Sequence, residues 1–94
     1  MRRPRVPWMT RADDRILEFL ENEGNKPLIS TPAVISVNTD YSIDYIRKRM
    51  VRLREGGLIT YYDEDRGMYE ITDRGRAYLA GALALDDIDI DVGD

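Results

Sequence analysis

Within residues 42–58 five cations, Arg47, Lys48, Arg49, Arg52 and Arg54, accompany only two acids, Asp44 and Glu55, a local formal charge of +3. Guanidinium and ammonium groups at this density do one kind of chemistry well. They form charge-assisted hydrogen bonds to phosphate oxygens and to the acceptor edges of bases. Their spacing matters as much as their number. In SIDYIRKRMVRLREGG, Ile46, Met50 and Leu53 follow Ile43 by three, seven and ten residues, a stripe with the period of a helix whose apolar side is buried. At 100° per residue the opposite face carries Asp44, Lys48, Val51, Arg52 and Glu55. Tyr45 and Arg49 lie on one flank, Arg47 and Arg54 on the other. Ser42 caps the start, and Gly56 with Gly57 ends the helix. A solvated face is the ordinary outcome for such charges, so the surrounding elements must decide whether these meet a ligand.

Other chemistries are closed off by composition. The chain has neither cysteine nor histidine, which removes thiol nucleophiles, disulfides, imidazole bases and the usual soft metal ligands. No carboxylate pair or Ser/Lys constellation stands out, so neither an enzyme nor a cofactor is expected. The terminal DIDIDVGD alternates aspartates as the start of a calcium loop does. Counted from Asp87, however, its glycine, Gly93, is seventh rather than sixth, and no late glutamate follows. An acidic, disordered tail over residues 86–94 is the better reading, and a metal site is not expected.

That tail also explains a net charge that otherwise speaks against a polyanionic partner. The whole chain carries −4, but Asp86, Asp87, Asp89, Asp91 and Asp94 supply five of the negative charges, leaving residues 1–85 at +1. Length and hydropathy bound the rest. Ninety-four residues, 43% of them apolar, suit one domain, and no apolar run of about 18 residues is present to span a bilayer. Arginines near the start are not followed by the apolar stretch of a secretory signal, so no membrane partner and a cytoplasmic location are expected.

The elements that must position the cations can be read along the chain. Residues 1–9 form a basic arm with Arg2, Arg3 and Arg5 between Pro4 and Pro7. Trp8 and Met9 read as an apolar lid. Thr10 and Asp13 resemble a capping box with Asp in place of Glu, opening a first helix over about residues 11–22 with Ala12, Ile16, Phe19 and Leu20 inward. A short β-tending stretch, residues 26–30, precedes Thr31 and Pro32, a cap and first-turn proline for a second helix to about residue 37. Val34, Ile35 and Val37 are expected on its buried side. Asn38, Thr39, Asp40 and Tyr41 make the turn into the third helix. Two strand-like runs, residues 58–62 and 68–72, flank DEDRG and predict a β-hairpin. Thr72 and Asp73 open a fourth helix to about residue 85, with Tyr78, Leu79, Ala82 and Leu83 apolar. The domain thus spans residues 10–85, and its class is α+β: a three-helix core with a short strand and a hairpin, plus a C-terminal helix.

This order of elements resembles a winged helix-turn-helix, and particular strings sharpen the likeness. SIDYIRKRMVRLREGGLI is similar to the recognition helix and first wing strand of winged-helix regulators, and YEITDRGRAYL to their second wing strand and following helix. WMTRADDRILEFL with that ending resembles the short regulators of halophilic archaea related to the phage phi-H repressor. Two lysines against twelve arginines, with abundant aspartate, fit a halophile as well as a GC-rich genome.

The resemblance implies a transcriptional regulator, a repressor, that binds double-stranded DNA as a homodimer, with the third helix in the major groove and the wing touching the backbone or minor groove. The expected contact residues are Ser42, Asp44, Tyr45, Arg47, Lys48, Arg49 and Arg52 on the third helix, Arg66 in the wing, and Arg2, Arg3 and Arg5 in the arm. Asp44, Tyr45 and Lys48, in the first turn and a half, are placed to approach base edges, and Arg52 to meet phosphate. Asp44 can accept from a cytosine amino group or repel phosphate. Tyr45 can meet a thymine methyl or pack on the helix flank. Arg66 has Asp63, Glu64 and Asp65 beside it, which oppose phosphate binding. Arg49 departs from the family pattern, standing where an apolar residue is common. The rival reading is a winged helix for protein association, with a protein partner met through the acidic tail.

Overall fold

The computed structural model describes residues 8–81. Four helices and one hairpin follow in order: α1 (Arg11–Glu21), α2 (Pro32–Val37), α3 (Ile43–Glu55), β1 (Ile59–Asp63), β2 (Met68–Ile71) and α4 (Asp73–Leu79). This is the expected α+β winged arrangement. The fourth helix is shorter than expected: it ends at Leu79, with Ala80 as its cap and Gly81 left-handed at φ +75°, a glycine stop that cuts it short of the bound near residue 85. The basic arm with Arg2, Arg3 and Arg5, residues 82–85, and the acidic tail lie outside the described residues.

Each helix begins on the cap its sequence offers. The Thr10 hydroxyl accepts from the Asp13 amide while the Asp13 carboxylate accepts from the Thr10 amide at 2.9 Å, so the capping box with Asp is real. Thr31, Ser42 and Thr72 accept from the amides of Val34, Tyr45 and Gly75. The end of α3 shows why two glycines stand there. Gly57 is left-handed at φ +78°, its amide donates to the Arg54 carbonyl, and the Leu58 amide donates back to the Leu53 carbonyl, closing the helix in a Schellman motif. The Leu58 amide is thereby engaged, and the strand begins one residue later than the apolar pattern suggests.

One core joins all the elements. Ile16, Leu17 and Leu20 of α1, Ile35 of α2, and Ile46, Met50 and Leu53 of α3 pack with Leu58, Ile59, Tyr69, Ile71 and Tyr78. Two expectations need correction. Leu17 joins the buried face of α1, which is broader than the sequence stripe. On α2 only Ile35 is buried, whereas Val34 and Val37 are 46% and 84% exposed. Helical geometry gives the reason: at 100° per residue Val34 and Val37 point 100° and 200° away from Ile35, so the three cannot share a face.

The hairpin is antiparallel, pairing Ile59 with Ile71 and Tyr61 with Tyr69, and a bulge between Tyr61 and Asp63 leaves Tyr62 unpaired and exposed. The short β-tending stretch contributes one bridge, in which Ser30 and Tyr69 exchange amide and carbonyl bonds of 3.0 and 2.8 Å. α4 docks tightly on this sheet because Gly75 has no side chain: a Cβ there would lie 2.6 Å from Ile71 Cγ1. Thr72 Oγ1 donates to the Gly57 carbonyl at 2.7 Å and Tyr78 Oη to Asp14 at 2.7 Å, tying α4 to the end of α3 and to α1.

Candidate nucleic-acid interface

α2 and α3 are joined by a turn that its own side chains hold. Ser36 Oγ donates to the Tyr41 carbonyl at 2.7 Å, and Thr39 Oγ1 donates to the Ile35 carbonyl at 2.9 Å while accepting from the Tyr41 amide. Such side-chain bonds satisfy backbone groups that neither helix can satisfy, and they fix the angle between the two. With Ile46, Met50 and Leu53 fully buried, α3 has one rotational setting. The residues on its opposite side are therefore presented as the sequence stripe requires.

Among the described residues, Lys48 and Arg52 make no ion pair; Lys48 is exposed and Arg52 half-exposed on the outer face. Asp44, largely in solvent, pairs at 3.6 Å with Arg47 one turn on, which leaves that end of the helix less acidic than the sequence alone implies. Tyr45 is 38% exposed and its ring lies 5.7 Å from that of Tyr41, so the packed and the accessible readings of this residue both hold in part. Ser42 acts as the helix cap, its hydroxyl accepting from the Tyr45 amide at 3.2 Å.

Arg49 corrects the expectation that it faces DNA. Its guanidinium turns into the protein, donating through Nε and Nη2 to Asp13 at 2.9 and 2.7 Å and through Nη2 to the Trp8 carbonyl at 2.8 Å. The side chain is only 15% exposed, and the Asp13 carboxylate is fully buried. The hydrogen bond that Arg49 donates to Asp13 raises the arginine pKa above its already high ordinary value, against the opposing effect of burial. Trp8 lies over the last turn of α3, close to Gly56. Sequence reasoning found Asp13 only as a cap. The signal for its second role was double, an Asp where a capping box has Glu and an Arg where the family has an apolar residue, but 36 residues separate the two.

The wing brings Arg66 to the same side as α3. Thr31, Pro32 and Ala33 at the start of α2, Arg47 and Val51 of α3, and Arg66, Gly67 and Tyr69 of the hairpin line one open cleft of about 400 Å³. Arg47 and Arg66 thus stand around a shared groove, with apolar Val51 among its lining. Arg66 is itself paired with Asp63 at 3.5 Å, a local partner the acidic loop supplies. Arg54 lies over the Tyr61 ring, 5.2 Å from its centroid, and so braces the hairpin. Tyr61 stacks on Tyr69 at 4.6 Å. Burial, aided by the hydrogen bond with Tyr61, pushes the Tyr69 hydroxyl up to about 12. Among the described residues no cluster of carboxylates is arranged to hold a metal ion, and no helix is long and apolar enough to cross a membrane.

The chain is similar in sequence and in fold to known proteins. A repressor protein of Halobacterium phage phiH is 38% identical over 87 residues, covering 90% of this chain and 94% of that protein. The crystal structure of the PhiH1 repressor-like protein from Haloarcula marismortui superposes with a TM-score of 0.71 at 32% identity, covering 86% of this chain and 88% of the other. The family model for the winged helix-turn-helix phage repressor matches residues 1–91. The chain belongs to the winged helix-turn-helix phage repressor family.

Proposed function

We propose that this protein is a repressor-type regulator that binds double-stranded DNA sequence-specifically and without covalent chemistry. The observation that carries the reading is the two-sidedness of α3: Ile46, Met50 and Leu53 anchor it in the core while Lys48 and Arg52 stand free on the outer face. A helix so presented, after a braced turn, can enter a major groove about 12 Å wide and bring its first turns to the base edges. Asp44, Tyr45 and Lys48 occupy those turns. Arg52 lies farther along and meets phosphate, as do Arg47 and Arg66 around the cleft. The basic arm, Arg2, Arg3 and Arg5, adds backbone contacts. The site acts in the cytoplasm. The sources of the relatives and the arginine-rich composition point to a halophilic setting, where salt weakens every phosphate contact and puts more of the selectivity on base edges and DNA shape.

One recognition helix reads only a short site, so the protein works as a homodimer on two half-sites about one helical turn apart. Sedimentation at micromolar concentration should show the dimer, and a strict monomer on DNA would remove this part of the reading. One observation favours protein association as a second role: Val34 and Val37 lie exposed on α2. A fluorescence-anisotropy titration with duplex DNA at two salt concentrations separates the two. DNA binding that weakens steeply with salt supports the regulator, and a flat response or no binding supports the protein partner.

A further inference from the structure

We propose that Arg11 and Arg15 form a second phosphate-binding site, which grips the DNA backbone on the side of α3 opposite the wing. The inference rests on α3 being the groove helix. The two arginines are one turn apart on α1 and both are exposed. Neither is held by an acid of the described residues, whereas Arg47, Arg49, Arg66 and Arg76 each have an aspartate within reach. They open onto a cleft of about 230 Å³ whose other wall is Asn38, Thr39, Asp40 and Tyr41, the turn between α2 and α3. Asp40 is the single acid among those six residues, so the cleft keeps a formal charge of +1.

The wall is preorganised. Thr39 and Asn38 are engaged with the carbonyls of Ile35 and Val34 at 2.9 and 2.8 Å, so a ligand meets a fixed surface. It is also continuous with the reading face, because the Tyr41 ring contacts Tyr45 on that flank of α3. On the other flank lie Arg47 and Arg66. A helix in a major groove has a sugar-phosphate strand on each side, and α3 has a pair of arginines on each side. Because Arg11 and Arg15 line the cleft beside the turn and lie on a different helix from Asp44 and Lys48, their ligand is a backbone phosphate, a contact that positions the protein without reading sequence.

The test compares the parent with an Arg11→Gln, Arg15→Gln double variant on a duplex selected by the parent from a random pool and on its scrambled version, across a series of KCl concentrations. The slope of log affinity against log salt should fall by about 1 to 2 units, since each phosphate contact contributes about 0.9. Affinity should drop by the same factor on both duplexes. Arg74→Gln, which removes an exposed cation beside Gly57 at the far end of α3, should leave the slope unchanged. The proposal is overturned if the double variant keeps the parent slope, or if Arg74→Gln lowers it equally. Should Lys48→Ala weaken binding while the α1 variant does not, the second site fails and the groove helix stands. A parent that binds no duplex defeats both.

Discussion

Lys48 and Arg49 are sequence neighbours of equal charge, yet 100° of helix rotation sends one to solvent and the other onto a buried carboxylate. That difference is a difference in work. The Arg49 pair bridges α3 to the cap of α1 and also holds the Trp8 carbonyl, so it fixes α3 against the segment that leads into α1. Removing one member of a buried pair strands the other, which costs several kcal/mol. Arg49→Ala should therefore lower stability by about 3 kcal/mol in chemical denaturation. Arg49→Lys should restore only part of that loss, because an ammonium cannot make the same two-pronged contact. An Arg49→Ala protein as stable as the parent would mean the pair contributes nothing net. The residue was legible as an anomaly in the sequence; its partner was not, because a 36-residue separation leaves no periodic trace.

At the scale of elements, caps, glycines and stripes were readable, since each is a local device with a local cause. Thr10, Thr31, Ser42 and Thr72 all cap the helices they precede. What failed was the orientation of α2. A helix of six residues with three valine or isoleucine side chains has no repeat long enough to define a face, and Ile35 alone was chosen by packing. The bulge at Tyr62 was equally hidden, because a single inserted residue leaves the composition of the strand unchanged. The hairpin itself can be probed through Tyr69. Its hydroxyl is raised from 10 in the unfolded chain to about 12 in the fold, so the folded state resists losing that proton. Stability contributed by the protonated tyrosine is complete below pH 10 and is lost as pH rises from there through about 12. Denaturation midpoints followed across that window should fall less steeply for Tyr69→Phe than for the parent. Parallel curves would show that Tyr69 is not the group concerned.

Across the whole molecule, charge is sorted by place. The tail holds five aspartates and the body is near neutral. Within the described residues Lys48 and Arg52 of α3 and Arg11 and Arg15 of α1 make no ion pair, while the core beneath is apolar apart from Asp13 and Ser30. The fold class was legible because the order of elements has few three-dimensional solutions. The site was legible only in outline, because ion pairs decide which arginines are free, and pairs such as Asp13 with Arg49 form only once the chain is folded. The reading of α3 as the helix that enters the groove stands most directly on Lys48 and Arg52. Affinities of Lys48→Ala and Arg52→Ala should be measured against a selected duplex and its scrambled counterpart, with circular dichroism as the folding control. Lys48→Ala should lose about 1 to 3 kcal/mol on the selected duplex and relax specificity at one position, whereas Arg52→Ala should weaken both duplexes alike and lower the salt slope by about one unit. Two folded variants that bind both duplexes as the parent does would show that α3 is not the reader.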